Sequence, residues 1–90
     1  MKKEFVTCDI WLASTISILL KTYPSFRVEN NKPLFIFPAN DDTYRAIAEF
    51  NGGTVINVYE YSRVVMRLKA VVAENTSMRT GKFRQKYWNI

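Results

Sequence analysis

The C-terminal segment of this chain combines cationic and aromatic side chains in a pattern that suits contact with nucleic acid. After Asn75 the sequence has four basic residues and no acidic residue, and aromatic residues stand between the basic ones. Cations neutralise phosphates, while aromatic rings stack on unpaired bases. The residues predicted to bind nucleic acid are Arg79, Lys82, Phe83, Arg84, Lys86, Tyr87 and Trp88. The alternative is a solvated extension whose Phe83 and Trp88 dock on the body of the domain.

The residues needed for common catalytic and metal chemistry are missing. The sequence has no histidine, the usual general base and metal ligand, and its single cysteine, Cys8, has no imidazole to activate it. Asp41 and Asp42 offer too few oxygens for a hard cation and are better placed to cap a helix. Gly52 and Gly53 lack the frame of a phosphate-binding loop and suit a helix end. We therefore predict a protein that is not an enzyme and has no cofactor or metal site.

Cysteine usage and hydropathy predict a cytoplasmic protein. One cysteine cannot form an intramolecular disulfide, and Cys8 is expected to be a buried small apolar residue. The N-terminus lacks the features of a signal peptide. The longest apolar-rich stretch, residues 10–20, is interrupted by hydroxyl residues and is shorter than the roughly 20 residues of a bilayer span. These features predict no membrane contact, and nothing indicates a small-molecule ligand.

The first predicted helix has two apolar residues that its own core face does not need. Leu12, Ala13, Ile16 and other residues up to Tyr23 share one face, with Ser14, Thr15 and Ser17 outside it. Trp11 and Ile18, seven residues apart, fall on the other side among polar neighbours. Either the core is larger than this face implies, or Trp11 and Ile18 form an exposed patch that binds a protein partner or a second copy.

The remaining patterns predict a small α+β domain. Residues 4–6 are typical of a strand, and Thr7 is expected to cap the helix that Pro24 ends. Residues 26–29 alternate in polarity, the turn-forming residues 30–33 follow, and residues 34–37 are apolar throughout, which predicts a hairpin whose second strand is central or covered on both faces. A short second helix is expected from Asp41 or Asp42 to an end at Asn51-Gly52-Gly53, with Arg45 beside Glu49.

The last predicted helix has the clearest apolar stripe. Asn57 and Glu60 form a capping-box pattern at its start. Its inward residues are Val58, Tyr61, Val64, Val65, Leu68, Val71 and Val72. Residues 54–56 are extended and could add an edge strand. The sequence thus predicts an antiparallel or mixed sheet with a central hairpin, packed by three helices, in one domain over residues 1–74, followed by a basic aromatic tail over residues 75–90.

The opening of the chain, Phe5-Val6-Thr7-Cys8-Asp9-Ile10-Trp11-Leu12-Ala13, resembles that of a small domain of unknown function found in bacterial and phage-type proteins. Phe35-Ile36-Phe37, Phe50-Asn51-Gly52 and Tyr61 leading to Leu68-Lys69 resemble later landmarks of the same family. The resemblance implies the same fold outline and a prokaryotic or phage setting. It implies no activity and no functional residues.

Two functional hypotheses follow from these observations. The first is a nucleic-acid-associated accessory protein, with affinity supplied by the tail, because the net charge is +1 over residues 1–74 and the tail adds four positive charges. The second is a protein-interaction module, either a homodimer or an adaptor or inhibitor of a larger host protein, that binds through the first helix.

Overall fold

The computed structural model describes residues 3–76, which form a three-stranded sheet and three helices. In chain order these elements are β1 (Glu4–Thr7), α1 (Ile10–Leu20), β2 (Ser25–Glu29), β3 (Lys32–Pro38), α2 (Asp41–Asn51) and α3 (Val58–Thr76). The predicted α+β class is confirmed. Within the described residues, 54–56 belong to no strand, so the expected edge strand is not formed there.

The sheet has the strand order β1-β3-β2, and both pairs of neighbouring strands are antiparallel. A two-residue turn joins β2 to β3, with Asn30 at φ 52° and Asn31 at φ 65°. Asparagine tolerates this left-handed backbone, and two such residues match the right-handed twist of a hairpin. Lys32 and Pro33, which the sequence pattern assigned to the turn, already belong to β3. The hairpin and the central position of its second strand are therefore confirmed.

The two faces of the central strand are covered in different ways. Phe35 and Phe37 point into the hydrophobic core, where residues of all three helices meet them. Ile36 points to the opposite face and is nonetheless buried. On this face Arg27 of β2 contacts Glu4 of β1 at 3.6 Å, so its side chain crosses β3. The aliphatic part of an arginine can shield apolar surface while its charged group stays in water.

The helix α1 packs against both α2 and α3, and this position buries more of its circumference than the sequence predicted. Ala13 and Ile16 are fully buried, as expected. Ser14, Thr15 and Ser17 were expected outside the apolar face but are buried as well. The hydroxyl of Ser17 donates to the carbonyl oxygen of Ala13 at 2.8 Å, and the hydroxyl of Thr15 donates to that of Trp11 at 3.0 Å. A hydroxyl satisfied within its own helix can be buried at low cost.

The predicted helix starts were wrong by one or two residues for α1 and α2. Asp9, not Thr7, caps α1, because its carboxylate accepts hydrogen bonds from the backbone N–H groups of Trp11 and Leu12. Thr7 instead accepts from the N–H of Asp9 at 3.0 Å. Asn40, not Asp41 or Asp42, caps α2 by accepting from the N–H of Thr43. In each case neighbouring polar residues compete, and the local backbone decides which side chain reaches the helix end.

Three further expectations about individual residues were wrong. The helix α1 ends before Lys21, whose backbone is left-handed at φ 56°, so Tyr23 lies outside the helix and is exposed. Cys8, expected to be buried, is exposed between β1 and α1. Arg45 pairs with Asp42 at 3.5 Å instead of with Glu49, whose carboxylate accepts from the Thr54 hydroxyl. These contacts involve exposed groups and contribute little to folding.

The helix α3 begins as predicted, with the side chain of Asn57 accepting from the N–H of Glu60 at 2.9 Å. Val64, Val65 and Leu68 of its inner stripe are buried. Val58, expected in the same stripe, is instead 81% exposed because the first turn of α3 extends past the core. Among the described residues, no helix combines the length and hydropathy required to cross a bilayer.

Candidate interaction surface

The helix α3 is apolar on two opposite sides, and only one of them packs against the domain. The side that includes Val65 and Leu68 is buried, whereas Tyr59 and Met66 on the other side are 71% and 67% exposed. A surface helix normally has one apolar stripe and an opposite polar face. We call the solvent side of this helix the α3 outer surface, which consists of the exposed residues Tyr59, Ser62, Arg63, Met66 and Ala70.

Exposed apolar residues are frequent in the segment that leads into α3 and in the first half of this helix. Among the described residues eight large hydrophobic side chains are exposed, and four of them, including Val55 at 95%, lie between residues 55 and 66. Single exposed apolar residues are ordinary, but a contiguous group on one surface is typical of an interaction site. Tyr59 and Met66, which share the outer side of α3, therefore make this helix, and not α1, the principal candidate interface.

Two arginines of α3 lie over aromatic rings. The guanidinium carbon of Arg63 is 5.7 Å from the ring centre of Tyr59, and that of Arg67 is 5.3 Å from the ring centre of Tyr23. Neither arginine forms an ion pair with a described carboxylate. A cation over a ring restricts both side chains, so less conformational entropy remains to be lost when a partner binds.

Trp11 lies at the edge of this region, held between α1 and α3. Its ring stacks on that of Tyr61, with 6.1 Å between the ring centres and 26° between the planes. The Tyr61 hydroxyl donates to the carbonyl oxygen of Trp11 at 3.0 Å, and the ammonium of Lys69 lies 5.9 Å from the centre of the tryptophan ring. The side chain remains 51% exposed. Trp11 thus serves packing between helices while keeping half of its surface available.

The structure separates the two residues of the predicted α1 interface. Ile18 is half-buried and packs against the hydrophobic core, so it does not extend an exposed patch from Trp11. This agrees with the alternative of a core larger than one face of α1. A role for Trp11 in binding a protein stays a prediction.

The predicted nucleic-acid-binding residues, Arg79 to Trp88, lie outside the residues that the structure describes. Their role also stays a prediction. The first two residues of the predicted tail, Asn75 and Thr76, belong to α3, the helix that has the exposed aromatic and basic residues.

The acidic residues of α2 and of the first turn of α3 are on the surface. Asp41 and Asp42 are exposed in the first turn of α2, where the positive end of the helix dipole favours them. Glu49 and Glu60 are exposed as well. Within residues 3–76, no group of three or more acidic or cysteine side chains is placed to hold a metal ion.

Sequence reasoning missed the α3 outer surface, although a signal was present. Outside the inner stripe of α3, the sequence also has apolar and small residues at helical spacing. They include Tyr59, Ser62, Met66 and Ala70, which are three, four and four residues apart. This is the spacing of a second helical stripe made of apolar and small residues. Strongly charged residues would be expected at these positions in a helix with only one partner.

Comparison with known proteins assigns neither a family nor a function to this chain. No protein-family model matches the chain, and no curated protein or solved structure is significantly similar to it. The surface itself must therefore carry the functional argument.

Proposed function

We propose that this protein is a non-enzymatic interaction module that makes protein contacts through the α3 outer surface. The observation that carries the proposal is the exposure of Tyr59 and Met66 on the side of α3 opposite to its buried stripe. Burying a methionine or a similar apolar side chain contributes about 1.5–3 kcal/mol. Burial of Tyr59 and Met66 together would supply part of the free energy that offsets the entropy lost on association.

The composition of this region also suits a protein interface. Tyrosine, tryptophan, methionine and arginine are enriched in the centres of protein interfaces and among their energetically dominant residues. Here Tyr59, Met66 and Arg63 lie on one helix side, with Arg67 and Trp11 at its margins. The rings and guanidinium groups already restrict each other, which favours a preformed binding site.

The resemblance of the opening segment supports a prokaryotic or phage setting for this activity. The single cysteine supports a reducing cytoplasm. Both parts of this setting belong to the proposal.

Site-specific photo-cross-linking in native cell extract tests the proposed surface. A photoreactive phenylalanine analogue replaces Tyr59 in one variant and Tyr44 of α2 in a matched control, since both tyrosines are exposed. We expect position 59 to form adducts with protein that persist after nuclease treatment and that position 44 does not form. Adducts that are equal at the two positions would contradict the proposal.

A second candidate function is binding of single-stranded nucleic acid, favoured by the aromatic and basic residues of α3 and the tail. The test uses fluorescence anisotropy with a labelled oligonucleotide, comparing the full chain with a variant that lacks residues 79–90. If the four tail cations contact phosphates, the logarithm of the affinity falls with that of the salt concentration with a slope of about −3. Deletion should abolish binding, and no binding at low salt would remove this candidate.

A further inference from the structure

We draw no further inference here: the strongest candidate, the apolar patch around Tyr59 and Met66 on the α3 outer surface, already belongs to the proposed function, and nothing in the structure shows what covers it.

Discussion

The helices α1 and α3 reverse the usual relation between polarity and burial. In α1, the hydroxyl residues Ser14, Thr15 and Ser17 are buried, whereas in α3 the apolar residues Val58 and Met66 are exposed. The difference follows from position. The helix α1 has a helix on either side, so even its polar side is covered, while α3 lies at the margin and has one packed side. Burial is therefore decided by the neighbours of an element as well as by the pattern of its own residues.

The largest expected effect compares two residues of α3 itself. Leu68→Ala should lower the free energy of unfolding by about 2–5 kcal/mol, because it leaves a cavity in the core. Met66→Ala should change it by less than about 0.5 kcal/mol at concentrations where the chain is monomeric, since this side chain is exposed. Urea denaturation of both variants measures the difference. Equal losses would mean that Met66 packs within the monomer and that α3 has no free apolar side.

A smaller effect is expected from enlarging a buried hydroxyl residue of α1. Ser17→Leu should destabilise the domain by about 1–3 kcal/mol, although leucine is more hydrophobic and a better helix former, because the site between the helices has no room for it. Thermal and urea denaturation give the change. A variant of unchanged or higher stability would show that the polar side of α1 is not closely packed.

The smallest effect separates two buried serines by their hydrogen bonds. The hydroxyl of Ser14 is buried without a hydrogen-bond partner among the described residues, whereas that of Ser17 donates to Ala13. Ser14→Ala should therefore raise the free energy of unfolding by about 1 kcal/mol, since it removes an unsatisfied polar group. Ser17→Ala is the matched control and should give no comparable gain. A loss of stability in Ser14→Ala would indicate that its hydroxyl has a partner in solution.

The interaction surface was harder to predict than the fold because it depends on which apolar residues remain uncovered. One of the two alternatives for Trp11 and Ile18 of α1 was an exposed pair, but Ile18 packs on the core. Tyr59 and Met66 were assigned no role, because a helical pattern shows that a side is apolar without showing whether anything covers it. The predicted N-caps of α1 and α2 were wrong for a local reason. Neighbouring residues, Thr7 and Asp9 for α1 or Asn40 and Asp41 for α2, offer similar oxygen acceptors within two positions.

The sequence by itself determined the elements and their order. Asn30 and Asn31 provide the left-handed turn of the hairpin, and Asn57 with the stripe through Leu68 determines where α3 begins and which side it buries. These are local properties, set by backbone preference and by spacing along one helix or strand. Only the tertiary structure decided that α1 lies between two helices and that α3 keeps an apolar side in solvent. Contacts between elements distant in the chain decide both, and no single segment of the sequence encodes them.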